Sequence, residues 1–118
     1  MEKRILVVDD EEPMRRILKF NLEQMGYRLD IACNGVEALK KVETYLPNLI
    51  VLDVLMPEMD GWQVAAQLKK NPATQQIPIL MLTIVSDKAR GLGLGVDEYL
   101  IKPFSMEEFL AKVSSLIA

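Results

Sequence analysis

Three carboxylates, one hydroxyl and one ammonium stand at the ends of apolar runs in this chain. Asp9 and Asp10 follow "RILVV", Asp53 closes "NLIVLD", Thr83 closes "IPILMLT" and Lys102 closes "DEYLIK". A buried carboxylate without a partner is costly, because a charge in a low-dielectric interior loses its hydration. If the fold brings the acids to about 5 Å, they repel by about 3 kcal/mol per pair at an effective dielectric of about 20. Protonating one acid or binding a cation relieves that repulsion. An all-oxygen ligand set suits Mg²⁺, whereas softer metals would want His or Cys. A carboxylate can also accept a phosphoryl group as an aspartyl-phosphate. A lysine together with a metal neutralises charge on a phosphoryl group in transfer.

Composition removes several other chemistries. There is no histidine among the 118 residues, so the commonest general base and metal ligand are missing, with Ser-His-Asp and Cys-His schemes. Cys33 is the only cysteine; no internal disulfide can form, which points to a reducing cytoplasm. Cys33 itself reads as a small buried residue. A net charge of −3 without any basic run argues against nucleic-acid binding by these residues alone. The apolar runs are far shorter than a membrane span. Strand-like sequence begins at Arg4, which leaves no room for a signal peptide.

The elements that must carry these groups follow from periodicity. Strands are predicted over 4–8, 28–32, 48–54, 77–83 and 97–102. Between them, 13–25 places Met14, Ile17, Leu18, Leu22 and Met25 on one helical stripe, with Pro13 in the first turn and Gly26 at the stop. A helix over 34–46 opens with Asn34 and Glu37 in capping-box spacing, and another runs from Gly61 to about Lys70 with Asp60 as its N-cap. A last helix, 105–118, starts with Ser105 and Glu108 in the same spacing. The segment 86–95 should be a fourth helix, short or frayed, because Gly91 and Gly93 each cost about 1 kcal/mol relative to alanine.

Strands alternating with helices imply an α/β fold with a parallel, doubly wound sheet, here of order 2-1-3-4-5, in one domain spanning 1–118. Ligands in such sheets bind beyond the carboxyl ends of the strands, where the winding direction reverses. That crevice lies between strands one and three, so Asp9, Asp10 and Asp53 meet at its mouth, with Thr83 and Lys102 on the same rim.

The stretches "ILVVDDEEPMRRIL", "LIVLDVLMPEMDGW", "ILMLT" and "GVDEYLIKPF" resemble the response-regulator receiver domain of two-component signalling, a flavodoxin-like (βα)5 fold, over essentially the whole chain. The resemblance implies that Asp53 is the phosphoacceptor, that Asp10 binds Mg²⁺ directly, and that Asp9 helps through water. Leu55 would offer its backbone carbonyl to the metal. Lys102 would contact the phosphoryl group, held by a cis bond to Pro103. Thr83 would bond a phosphoryl oxygen and Tyr99 would follow it inward as the switch; Pro57 and Gly61 would shape the loop after strand three. It further implies a sensor histidine kinase or phosphotransfer protein as donor. A downstream protein or output domain would be met through the helix over 86–95, strand five and the last helix, and a homodimer is compatible. Such a domain assists its own phosphorylation and dephosphorylation and is not a turnover enzyme. It would be cytoplasmic and would touch neither membrane nor nucleic acid directly.

Each residue alone has a plainer reading. "DD" after a strand is commonly a helix N-cap, Asp53 a solvated strand-end acid, Thr83 a β-branched strand residue, Lys102 a surface lysine and Tyr99 half-exposed packing. Four strand ends with matched chemistry in the right order outweigh those readings taken together. Ile84 departs from the family, which usually has a small residue there, and so predicts slower donor access or slower hydrolysis. It is also what favours the alternative, a receiver-like interaction module not regulated by phosphorylation. A nucleotide-binding α/β domain would want a Gly-rich loop where "DDEEP" stands. An aspartate-nucleophile phosphohydrolase would want a second acid beside Asp53, where Val54 and Leu55 stand.

Overall fold

Leu49 to Leu52 form a continuous apolar run, and each of the four is fully buried, as expected of a central parallel strand covered on both faces. A computed structural model describes residues 2–84 and 95–117. In chain order they form β1 (Arg4–Val8), α1 (Glu12–Gln24), β2 (Arg28–Ala32), α2 (Gly35–Tyr45), β3 (Leu49–Asp53), α3 (Gly61–Lys70), β4 (Ile79–Thr83), β5 (Glu98–Ile101) and α4 (Met106–Ile117). All strand pairs are parallel, and the sheet order is β2-β1-β3-β4-β5. The helix expected over 86–95 falls outside the described residues apart from Gly95, so four helices are seen where a (βα)5 pattern has five.

The two-residue period of the strands divides the core. Ile5, Val7, Leu49, Val51, Leu80 and Leu82 face one way, onto Leu18 and Leu22 of α1 and Phe109 and Val113 of α4. Leu6, Val8, Ile50, Leu52, Ile79 and Met81 face the other, onto Ala38 and Val42 of α2 and Val64 and Leu68 of α3. The result is a sheet between two helical layers.

Helix ends follow the predicted chemistry. The Asn34 side chain accepts the Glu37 N–H, Ser105 accepts that of Glu108, and Asp60 with Gln63 closes a full capping box. Gly26 sits at φ 89°, the left-handed stop that glycine takes without strain. The buried stripe of α1 is narrower than its periodicity predicts. Leu18 and Leu22 are buried, but Ile17 and Met25 are about half exposed, because α1 rests on the sheet through a narrower seam. Cys33 is exposed, not buried: it follows the last residue of β2, where the chain has already left the core.

Candidate functional site

Among the described residues four polar or charged residues are buried, and three of them, Asp9, Asp53 and Thr83, lie at or just past the carboxyl ends of β1, β3 and β4. Parallel pairing sets this out. Val8 is level with Leu52, so Asp9 leaves β1 beside the end of β3, and Thr83 lies one residue beyond the Asp53–Leu82 pair. Carboxylate oxygens of Asp9, Asp10 and Asp53 all lie within 4.8 Å of one another.

The plain reading of "DD" as a helix cap fails here. Glu11 occupies the N-cap position of α1, and no side chain caps that end. Asp9 instead turns one oxygen, Oδ1, onto the Glu11 N–H at 2.9 Å, while its Oδ2 is buried without a hydrogen-bond partner. Asp10 is exposed and completes the cluster from its outer side.

Lys102 lies just past β5, its amide N–H donating to the Thr83 carbonyl at 2.8 Å. Its Nζ is 3.1 Å from Asp53 Oδ1 and 3.8 Å from Asp9 Oδ2. The next peptide bond, to Pro103, is cis, as expected. One ammonium is therefore shared by two carboxylates, with the third, Asp10, beside them. Burial is the main cause raising the Asp9 carboxyl to about 6; the Asp53 and Asp10 charges add to the rise, and the Glu11 N–H and Lys102 oppose it. Burial raises Asp53 above its ordinary value too, against the Lys102 hydrogen bond and charge.

Gly61 explains how α3 starts so close to the acceptor strand. Its N–H donates to the Val54 carbonyl at 2.8 Å, and a Cβ there would come within 2.4 Å of the Asp53 carbonyl oxygen. Only glycine permits that approach. Pro57 lies in the same loop, where the Met59 N–H turns back onto the Pro57 carbonyl at 2.8 Å. Leu55 is two residues past Asp53 with its side chain half exposed.

Thr83 pairs with Ile101 and Met81 with Tyr99, so Thr83 and Tyr99 share one face of the sheet. Tyr99 is buried rather than half-exposed, its ring 6.1 Å from that of Trp62 and tilted by 52°. The ring packs inside against that aromatic partner. Ile84 is exposed and borders an apolar groove of about 390 Å³ with Met14, Ile17, Phe104 and Met106, along the stem of Lys102.

The donor set fits a hard divalent cation. All three ligands are carboxylates, one oxygen is buried and unbonded, and among the described residues a single lysine at the acids leaves negative charge unbalanced. Sequence reasoning missed Arg15, which donates from Nη1 to the Asp9 carbonyl at 2.8 Å. An arginine six residues after an acid carries no signature of that contact.

Residues 5–114 match the family model described as the response regulator receiver domain. The chain is 49% identical to the alkaline phosphatase synthesis transcriptional regulatory protein PhoP of Bacillus subtilis, over 99% of this chain and 49% of that protein. It is 43% identical to the response regulator MprA of Mycobacterium ulcerans, over 99% of this chain and 51% of that one. The chain thus spans about half the length of these curated relatives. Among solved structures, chemotaxis protein CheY4 of Vibrio cholerae superposes with a TM-score of 0.93 at 30% identity, covering 98% of this chain and 99% of that one.

Proposed function

The chain belongs to the response regulator receiver family, and from that premise we propose that residues 1–118 act as one receiver domain whose acidic cleft takes up a phosphoryl group on Asp53. The observation that carries this reading is the imbalance at the site: a buried Asp53, two further acids and one shared ammonium. Receivers of this family are phosphorylation-controlled regulators, not turnover enzymes.

A phosphohistidine of a sensor kinase or phosphotransfer protein, or a small acyl phosphate, is the donor. A carboxylate oxygen of Asp53 forms the new O–P bond as the donor's bond to phosphorus breaks; a histidine leaving group takes up a proton from solvent, and an acyl phosphate releases its carboxylate as the anion. Asp10 and Asp53, with the Leu55 carbonyl, would hold Mg²⁺, and Asp9 would hold its water. When bound, Mg²⁺ supplies charge neutralisation to the carboxylates and the phosphoryl oxygens. Lys102 exchanges its bond to Asp53 for the phosphoryl group, and Thr83 donates its hydroxyl to a phosphoryl oxygen.

The switch is a population shift. Moving an equilibrium from 1:99 to 99:1 takes about 5.5 kcal/mol of differential stabilisation. A few charge-assisted hydrogen bonds of about 1.5–3 kcal/mol each supply it. Thr83 and Tyr99, on one face of β4 and β5, carry the change to the surface of strand five and the final helix, where a second copy, a downstream protein or an output domain docks. The relatives named as transcriptional regulators are twice as long, so the lack of a basic run speaks for these 118 residues alone. No described helix is long and apolar enough to cross a membrane; the cytoplasm, as in the family, is the proposed place of action.

The test is the intact mass after incubation with Mg²⁺ and a small acyl phosphate. Wild type should gain one phosphoryl group and Asp53→Asn none. A wild type that binds Mg²⁺ but gains nothing would favour the unphosphorylated interaction module, with the exposed Ile84 at the rim as the first residue to change.

A further inference from the structure

The turn between β1 and α1 must present two adjacent carboxylates to a third. Asp9 is tied there at three points. Its N–H donates to the Ala32 carbonyl at 3.2 Å and its Oδ1 accepts the Glu11 N–H at 2.9 Å. Its carbonyl accepts Nη1 of Arg15 at 2.8 Å, from a side chain six residues further on. The first tie extends the sheet pairing and the second is local to the turn. The third needs this particular arginine.

Arg15 does not behave as a helix-surface charge. Glu12, one turn back, is paired with Arg16 instead. Arg15 is only partly exposed, and its Nε is buried without a hydrogen-bond partner. The guanidinium is spent on one main-chain oxygen. That oxygen belongs to the planar peptide unit joining Asp9 to Asp10. Holding this plane fixes ψ of Asp9 and φ of Asp10, and with them the directions in which both side chains leave the chain.

We propose that Arg15 is a positioning residue of the cation site: by pinning the Asp9–Asp10 peptide plane it keeps both carboxylates turned toward Asp53. The inference rests on the reading of these acids as a Mg²⁺ site. It has a consequence opposite in sign to that of charge alone. A cationic side chain near a cation site weakens metal binding through space, so removing it should tighten binding. Removing a positioning residue loosens it.

The experiment is calorimetric titration of Mg²⁺ into wild type, Arg15→Gln, Arg15→Lys and Arg16→Gln at one ionic strength, with melting curves in chelator to show that each is folded. Arg15→Gln should bind Mg²⁺ about tenfold more weakly, the lower end of what loss of a residue supporting a metal ligand costs. Arg15→Lys, which keeps the charge without the planar fork, should lie between it and wild type. Arg16→Gln, which removes an equal charge from the same helix, should bind as wild type or slightly more tightly. Affinity in Arg15→Gln equal to or tighter than wild type overturns the role. Should that variant fail to fold, wild-type affinity in Arg15→Lys overturns it equally. A wild type that binds no Mg²⁺ overturns the site reading and this role together, a result distinct from binding that ignores Arg15.

Discussion

Lys69 and Lys102 are nearly equal in exposure, with side chains 17% and 16% accessible, and they sit at opposite ends of the same sheet. Lys69 lies in the last turn of α3 and donates to the carbonyls of Gln75 and Ile77, each at 2.9 Å, with Asp97 at 3.6 Å. Asp97 is itself occupied, accepting the Ile79 N–H at 2.9 Å. Two carbonyls accept ammonium protons, and one negative charge stands beside one positive. Lys102 faces Asp53 and Asp9, with Asp10 beside them. Its surroundings carry more anions than it can answer. A half-buried lysine whose charge is balanced holds a fold together; an outnumbered one marks a place where charge is still to be delivered.

Exchanging each lysine for an apolar residue tests that contrast. Lys102→Met should slow phosphoryl uptake by about 100-fold, near 3 kcal/mol of barrier, through loss of charge stabilisation at the reacting group. Rates within twofold of wild type, read by mass against time, would break the distinction.

The raised Asp9 carboxyl gives the metal-free protein a pH signature. Its folded value of about 6 lies above its ordinary 3.8, so between these limits the folded state keeps a proton the unfolded chain has lost. The stabilisation is complete below about pH 4 and is lost as pH rises through 6, on the order of 3 kcal/mol for this one group. Chelator-treated Asp9→Asn should therefore match wild type near pH 4 and exceed it in stability at pH 7. Denaturant melts showing the same gap at both pH values would refute the assignment.

Lys69→Met should act in the other direction from Lys102→Met. It takes the Lys69 donor from the Gln75 and Ile77 carbonyls and the counter-charge from Asp97, costing about 2 kcal/mol of stability while phosphoryl uptake stays unchanged. A matching loss of uptake would show that the two ends of the sheet are coupled. The smallest effect is expected at Ile84, exposed at the rim of the groove beside Lys102. Ile84→Ala should speed phosphorylation or loss of the phosphoryl group by about threefold, under 1 kcal/mol; unchanged rates in both directions would remove Ile84 from the account.

Much of this was legible in the chain. Uninterrupted aliphatic runs identify strands buried on both faces, and Asn34, Asp60 and Ser105 mark helix starts through interactions spanning three residues. Once the strands are ordered, the placement of acids, Thr83 and Lys102 at their carboxyl ends follows. What was not legible depends on distant partners. Ile17 has the spacing of a core residue yet stays half exposed, because only the narrow seam of α1 meets the sheet. Cys33 follows a strand but has already left the core. Tyr99 is buried because Trp62, 37 positions earlier, lies across from it.

Sequence alone determined the order of elements and the chemical type at each strand end, since both depend on local periodicity and on residue identity. Only the tertiary structure decided how those groups divide one another's charge. Asp9 is left with an unbonded oxygen, Lys102 is shared, Lys69 is balanced by one carboxylate, and Arg15 holds the peptide between two acids. Desolvation and hydrogen bonding act over a few ångströms in space, between residues that the chain keeps up to 93 positions apart, as for Asp9 and Lys102.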